Sequence, residues 1–424
     1  MPKPINIWIL VVGEPLPLDG PDERLLRAGL LAARLVARGH NVTWWTSAFD
    51  HRRKRFRTHP ETIVRDGIVF QLLKGSGYRR NVSLQRVRDQ REVAREFGRR
   101  APLEKELPDV LFVAYPTVEL ADAAESYAAN IGRPLVVDIR DLWPDIFADI
   151  LPPFLRGLGR LALKGMTRQS AKVLGRATAI SGITESFVDW GVARAGRARG
   201  ANDRAFPLAY DQTPLSSQDL LAAAESLRIR GMNLRNGRAW VVFTGSLGKQ
   251  FDFETVFEAA DKVRNLPIDF VIAGSGESES ALRQRAATRS NVQMTGWLSR
   301  GELGALLNHA VLGLAPYRST WDFEASIPNK VIEYLASGLP VISSLRGEVA
   351  AMLSSEDCGV TYAVDNGGSL ASALRNILSD RPRLDTMTQN ARDLFKRRFS
   401  GRDVYPAMSA YLEAMAETGR SIRP

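Results

Sequence analysis

Short apolar runs separated by amphipathic helical stretches recur along this chain, and the series starts twice. Alternation of this kind commits a chain to parallel sheets covered by helices on both faces. In the first series, Ile5 to Val12 reads as a buried strand, followed by Gly13 and a loop rich in Pro and Gly. Asp22 can cap a helix running to about Arg38, with Leu26, Leu30, Ala33 and Ala37 on one face, and Gly39 ends it. Strands are expected at Val42–Thr46, Val110–Ala114, Leu135–Asp138 and Ala177–Ser181. From about Pro207 to Gly237 the pattern loosens into polar and turn residues and reads as a linker. The series then restarts. Strands are expected at Trp240–Thr244, Ile268–Ala273, Val292–Thr295, Val311–Pro316 and Pro340–Ser343. The helices expected there are Asp252–Arg264, with Val256, Phe257, Ala260 and Val263 inward, Ser299–Asn308 and Pro328–Ser337.

The expected fold is therefore α/β, with two Rossmann-like doubly wound domains facing a cleft. The boundaries read as 1–206 and 207–400, with a last helix in 401–424, from about Gly401 to Glu417, crossing back to the first domain. A chain of 424 residues suits such a division, since domains commonly hold ~100–200 residues each. In doubly wound sheets ligands bind beyond the carboxyl ends of the strands, so the loops after Val12, Asp138, Thr244, Ala273 and Pro316 are the candidates for site residues.

Composition narrows the function. One cysteine, Cys358, allows neither an intramolecular disulfide nor a cysteine-built metal site, which fits a reducing compartment. No secretory signal is evident, and no apolar stretch approaches the ~20 residues of a membrane-spanning helix. The expected location is the cytoplasm. The net charge of +10 is concentrated: residues 51–105 hold 16 Lys and Arg against 6 Asp and Glu. A basic surface of that density seeks phosphate on nucleic acid, on anionic lipid or on a substrate. A second basic series, Arg156, Arg160, Lys164, Arg168, Lys172 and Arg176, is interspersed with Leu and Met and follows Leu151-Pro152-Pro153-Phe154. It reads as an interfacial helix on an anionic membrane or, equally simply, as a solvated helix face. Neither stretch interleaves the aromatic platform that single-stranded nucleic acid requires, and nucleic acid is not an expected partner.

The most informative stretch runs from Ser326 to Ile342. Pro328 suits the first turn of a helix, whose free N–H groups and dipole form an anion site. Asn329 and Lys330 lie in that first turn, and Glu333 follows one turn later on the same side. Phosphate at the helix start with a carboxylate one turn on suits a nucleoside diphosphate, the carboxylate accepting from the ribose diol. On spacing alone, a surface Lys–Glu pair reads the same way. Gly245-Ser246 precede Lys249 on the loop after the first strand of the second series, where a cation could neutralise a leaving diphosphate; a solvated loop lysine reads the same way. Gly274 and Gly276 form a G-x-G, and Gly13 sits where backbone could approach a phosphate; each also reads as a plain turn. The dinucleotide fingerprint G-x-G-x-x-G is absent after the first strand, which argues against a nicotinamide enzyme. Asp138 and Asp141 end a strand, where a carboxylate could act as base or orient a hydroxyl; Asp141 reads equally well as a turn cap. None of the four histidines falls on an expected site loop.

These strings resemble a family. Glu333-Tyr334-Leu335-Ala336-x-Gly338-x-Pro340-Val341-Ile342 is similar to the donor-binding signature of the family-four retaining glycosyltransferases, glycosyl transferases group 1. Gly245-Ser246-Leu247-Gly248-Lys249, then Phe270-Val271-Ile272-Ala273-Gly274-x-Gly276, then Asn291-Val292-x-x-Thr295-Gly296 resemble it in the same order. So do Arg27 with Leu31-Ala32, Arg38-Gly39-His40-x-Val42, and Asp138-x-x-Asp141-Leu142-Trp143-Pro144, the last similar to the L-fucosamine transferase-like enzymes of bacterial surface polysaccharide synthesis. Many members pair the glutamate matched by Glu333 with an earlier one at the position of Ala325; Glu324 stands beside it out of register, while Ser326, Pro328 and Lys330 match the subgroup's pattern.

The resemblance implies a GT-B enzyme that moves a sugar from a nucleoside diphosphate sugar, UDP-linked, with retention. The acceptor would be a lipid-linked or oligosaccharide precursor of a cell-surface glycan, reached from the inner face of the cytoplasmic membrane. Lys249, Lys330, Asp138 and Asp141 would be catalytic. Gly13, Gly245, Ser246, Gly274, Gly276, Ser326, Pro328, Asn329 and Glu333 would hold the donor. With no paired-carboxylate motif, no metal or other cofactor is expected. A nucleotide-sugar epimerase of the same fold and a non-catalytic polyanion-binding protein are the rival readings.

Overall fold

A computed structural model describes residues 3–20, 23–149, 154, 156–211, 215–232 and 237–421. The chain divides into two compact units: residues 1–207 with 401–424, and residues 208–400.

Unit 1 is built on an eight-stranded sheet. Its strands are β1 (Asn6–Leu10), β2 (Asn41–Ser47), β5 (Thr62–Arg65), β6 (Ile68–Leu73), β7 (Val110–Tyr115), β8 (Leu135–Ile139), β9 (Ala179–Gly182) and β10 (Arg204–Ala205); β3 (Phe49–Asp50) and β4 (Arg55–Phe56) form a separate small hairpin. The order is β10-β9-β8-β7-β1-β2-β6-β5, parallel except for the β5–β6 pair. The direction of winding reverses between β1 and β7, which is where a doubly wound sheet opens a crevice for ligand.

The first helix, Arg27–Ala37, starts later than the sequence suggests, and Asp22 lies outside the described residues. Its buried side is also different. Ala28, Leu31, Ala32 and Leu35 are fully buried, whereas Ala33 and Ala37 are exposed and Leu26 and Leu30 half-buried. Burial of Arg27 sets this rotation, because its guanidinium reaches Asp138 on β8. The last helix, Gly401–Ser421, belongs to unit 1. It is tied to the first helix by a forked ion pair from Arg38 to Glu413 at 2.7 and 2.8 Å, with His40 Nε2 2.7 Å from the same carboxylate.

Unit 2 carries a six-stranded, wholly parallel sheet: β11 (Ala239–Thr244), β12 (Ile268–Ala273), β13 (Val292–Gly296), β14 (Leu312–Ala315), β15 (Val341–Ser343) and β16 (Gly359–Thr361), in the order β13-β12-β11-β14-β15-β16. Here the switch point lies between β11 and β14. Val256, Phe257, Ala260 and Val263 pack inward from the helix after β11, as their spacing requires.

The stretch read as a linker is largely structured. Ser217–Ile229 is a helix opened by a capping box between Ser216 and Asp219, with Leu227 fully buried in the core of unit 2. Ser226 donates to Glu302 at 2.8 Å, and Arg230 pairs with the same carboxylate at 3.2 Å. Many polar residues on one face hid a helix that has a narrow apolar stripe. No helix among the described residues is long and apolar enough to cross a membrane.

Candidate functional site

The carboxyl end of β11 is the centre of the site in unit 2. Gly245, at φ +121°, turns the chain out of the strand, and Gly274, at φ +150°, does the same after β12. The two turns pass so closely that any side chain on Gly274 would collide with the Gly245 carbonyl oxygen. Leu247 N–H donates to Ser275 at 2.9 Å and Gly274 N–H to Gly296 at 2.8 Å, so the loops form one backbone-lined surface. Gly276, at φ +159°, faces Leu247, whose carbonyl oxygen would stand 2.7 Å from an added Cβ. Ser246 is exposed on this surface.

The helix Asn329–Ala336 is fixed to the same end of the sheet. Tyr334, fully buried, accepts from the Thr244 N–H at 3.0 Å and donates to the Leu314 carbonyl at 3.2 Å, joining β11 to β14 through one hydroxyl. Pro328 caps the helix in an extended conformation, and Asn329 is exposed in the first turn. Ser326 is buried beside it and donates to the Phe323 carbonyl at 3.2 Å. Glu333 is half-buried one turn further. Glu324 accepts from Ser319 on the loop before the helix.

Lys330 departs from the expectation that it faces outward. It is 8% exposed, its ammonium hydrogen-bonded to the Thr244 carbonyl and 3.9 Å and 5.1 Å from the ring centroids of Phe243 and Phe251. Its Nζ lies directly beneath Gly245, 2.9 Å from where a Cβ would stand. Burial pushes its pKa down to about 7, with Glu333 pulling the other way. The helix tilts the lysine under the glycine turn, not into solvent, because the flat faces of Phe243 and Phe251 admit a cation there. Lys249 is the opposite case: its side chain is 85% exposed, with Glu277 3.9 Å away.

At the matching end of unit 1, the structure corrects the reading of Asp138 as a base. Asp138 is fully buried. It receives Arg27 at 2.9 and 3.0 Å, Arg140 at 2.8 Å and the Ser181 hydroxyl at 2.7 Å, and Arg140 continues to Glu14. Burial opposes its charge, but the two guanidiniums overcome that and hold the carboxyl well below the usual range. Every lone pair has a donor, so this is an internal brace beneath the loops. Asp141 is half-buried, and its carboxylate accepts from the Leu142 N–H at 3.0 Å, a turn-capping contact. Gly13, at φ +87°, turns the chain after β1, and its missing Cβ faces the His51 side chain at 3.9 Å. That contact places a histidine on a site loop, which its position in a basic stretch far along the sequence did not reveal. Among the described residues no group of three or more His, Cys, Asp or Glu side chains is arranged to hold a metal.

Comparison with known proteins bears on the fold and on unit 2. Residues 238–380 match the family model described as glycosyl transferases group 1. The matched stretch lies within unit 2. A curated relative, named provisionally as the colanic acid biosynthesis glycosyl transferase WcaI of Escherichia coli, is 29% identical over 109 residues, 25% of this chain and 26% of the relative. The match thus spans about a quarter of that protein's length. Among solved structures, sucrose-phosphate synthase from Thermosynechococcus elongatus aligns over 98% of this chain and 100% of its own, with a TM-score of 0.70 at 15% identity. HepE of Anabaena, solved in complex with UDP-glucose, aligns over 99% and 100% with a TM-score of 0.62 at 14% identity. WaaG, a glycosyltransferase involved in lipopolysaccharide biosynthesis, aligns over 96% and 99% with a TM-score of 0.63 at 15% identity. At such identities the likeness is one of fold: two Rossmann-like units of the GT-B type. The segment matched by the family model spans the Gly245 and Gly274 turns and the Asn329–Ala336 helix.

Proposed function

We propose that this chain is a glycosyltransferase that takes its sugar from a UDP-linked donor bound by unit 2 and transfers it, with retention, to a lipid-linked or oligosaccharide acceptor in cell-surface glycan synthesis. The observation that carries this reading is Lys330, a buried cation beneath the Gly245 turn at the switch point of a group 1 domain. Its ammonium meets the Thr244 carbonyl and the faces of Phe243 and Phe251, with Glu333 the carboxylate that acts on it. A diphosphate laid on the glycine turns would meet that cation and the first-turn N–H groups of the Asn329–Ala336 helix together. Glu333, one turn on, would accept from the ribose hydroxyls. As the glycosidic bond breaks, charge grows on the leaving diphosphate, and a preorganised cation favours that state over the ground state. With cations and backbone N–H groups carrying the charge, the reaction proceeds without a metal. The relatives crystallised with UDP-glucose and named for surface glycans support the choice of base and acceptor class, and the Asp141-Leu142-Trp143-Pro144 string supports the L-fucosamine transferase-like subgroup.

The acceptor class places the enzyme at the inner face of the cytoplasmic membrane. Phe154, Leu158 and Leu161 are exposed apolar side chains among Arg156, Arg160, Lys164 and Arg168. Lys172 and Arg176, further along, are drawn to Asp122 and Glu125 of unit 1 instead. Residues 151–153, part of the same expected interfacial segment, lie outside the described residues. Each basic residue near an anionic surface contributes about 1 kcal/mol. Flotation with phosphatidylglycerol vesicles, reduced when Arg156, Arg160, Lys164 and Arg168 are changed to Gln, checks this part. A thermal-shift panel of UDP, GDP, ADP and their sugars tests the donor: UDP and its sugars should raise Tm most. If no nucleotide shifts Tm, the donor site is misassigned. Appearance of an isomeric nucleotide sugar without any acceptor would mark an epimerase instead.

A further inference from the structure

The hairpin after β2 and the loops after β1 and β8 gather charges in unit 1 that the donor chemistry does not use. Gly13 faces His51, whose Nδ1 is hydrogen-bonded to the Tyr78 hydroxyl. Lys54 Nζ lies 3.4 Å from the same nitrogen and 4.6 Å from the Tyr78 ring centroid, and also donates to Asn81. The Arg86 guanidinium lies 5.7 Å from that ring and 4.7 Å from the ring of Trp143, on the loop after β8. Two cations and an imidazole thus share one tyrosine at the carboxyl end of the sheet, where ligands of doubly wound folds bind.

The nearby carboxylates act on this charge only electrostatically, Asp50 on His51 and Lys54 and Asp89 on Arg86, while their oxygens accept elsewhere. Asp50 accepts from the Arg52 and Arg53 N–H groups and from the Arg53 guanidinium, and Asp89 accepts from the Gly77 N–H. Arg86 Nε is buried and has no hydrogen-bond partner among the described residues, a condition that native proteins rarely leave unanswered. The crowding registers on the groups themselves. Burial, then Lys54 and Arg86, push the His51 pKa down to about 4 against the pull of Asp50. Burial and Arg86 lower that of Lys54, again with Asp50 opposing.

We propose that Lys54 and Arg86, with His51 and Tyr78, form an anion subsite of unit 1 that takes a phosphate or diphosphate ester of the acceptor; the word acceptor rests on the glycosyl-transfer reading, the anion subsite does not. A phosphate group supplies acceptor oxygens to Arg86 Nε, to the Lys54 ammonium and to the imidazole, which becomes a second donor as it takes up a proton. The aromatic floor of Tyr78 and Trp143 keeps the guanidinium in place and excludes water from one side.

The test uses the full chain, first saturated with UDP so that unit 2 is filled, then titrated with inorganic pyrophosphate in a calorimeter. The wild type should still bind pyrophosphate. The double variant Lys54→Gln, Arg86→Gln should lose at least about tenfold in that affinity while keeping its UDP affinity. Unchanged pyrophosphate affinity in the variant overturns the subsite. If UDP binds neither protein but pyrophosphate binding still falls in the variant, the subsite stands and the glycosyl-transfer reading fails. Vesicles of phosphatidylglycerol and of phosphatidylcholine form the second arm: a variant that stops floating on the anionic vesicles yet keeps its pyrophosphate affinity marks a lipid-headgroup surface and overturns the subsite. Should the double variant not fold, the His51 imidazole resonances of the wild type carry the test, since pyrophosphate must shift them and raise their titration midpoint; no shift overturns the proposal.

Discussion

Asp138 and Lys330 are both buried charges at the carboxyl ends of parallel sheets, and they differ in what surrounds them. Asp138 has two guanidiniums and a hydroxyl on its two oxygens. Lys330 has a backbone carbonyl and two phenylalanine rings, with Glu333 the carboxylate that acts on it. A charge met by several hydrogen-bonded partners holds elements in register; a charge met mainly by a carbonyl and ring faces beneath a glycine turn is, in the proposed site, the one that takes a counter-charge from outside. Strand-end position alone does not separate the brace from the binding group. The partner count does.

The largest effect expected from this contrast is on stability. Arg27→Met leaves Asp138 with a lost partner and should destabilise unit 1 by ~3–5 kcal/mol in urea unfolding, whereas Lys330→Met should leave stability the same or raise it. Equal losses in the two variants would erase the distinction. The pH dependence has opposite origins at the two sites. The Asp138 carboxyl lies below its unfolded value, so its contribution is present above about pH 4 and fades as pH falls through its folded pKa. The Lys330 ammonium lies at about 7 when folded against 10.5 when unfolded, so the unfolded chain binds more protons between them and stability rises with pH across that window. Replacing Lys330 with Met should flatten that rise.

Next is catalysis. Lys330→Met should lower transfer by about 10²–10³ in kcat with the fold intact by circular dichroism; near-normal turnover would make the buried lysine structural. Glu333→Ala should weaken UDP by about tenfold yet barely change binding of inorganic pyrophosphate, if the carboxylate serves the ribose as proposed. Lys249→Ala should have a smaller effect, about twofold and fading with salt, since the side chain is 85% exposed and such charges are screened. The smallest expected effect is none: chelator should leave transfer unchanged, and activity lost in chelator and restored by magnesium would place a metal in the reaction.

The sequence showed the two sheets because their central strands are apolar runs bounded by glycine, a signal that survives without tertiary information. It missed β5 and β6, whose run from Thr62 to Leu73 sits inside a basic segment that drew attention to charge, and the helix Ser217–Ile229, whose capping box at Ser216 and Asp219 was nevertheless present to be read. The loops after β11 and β12 were legible as glycines at strand ends, Gly245, Gly274 and Gly276, where a plain turn reads the same way. What periodicity could not show was direction and pairing. Lys330 turns inward because of two rings on another element, and Asp138 is satisfied by Arg27, separated from it by 111 positions in the chain. His51 meets the Gly13 loop only through the hairpin that follows β2.

The account depends most on Lys330 waiting for a diphosphate, and calorimetric titration of UDP near pH 7 in buffers of different ionisation enthalpy measures that directly. With burial pushing its free pKa down to about 7, the lysine is partly unprotonated at that pH, so binding a diphosphate should take up protons. The uptake should shrink towards pH 6, grow towards pH 8 and vanish in Lys330→Met. UDP binding with the same proton balance in wild type and Lys330→Met, or no UDP binding at all, would contradict it.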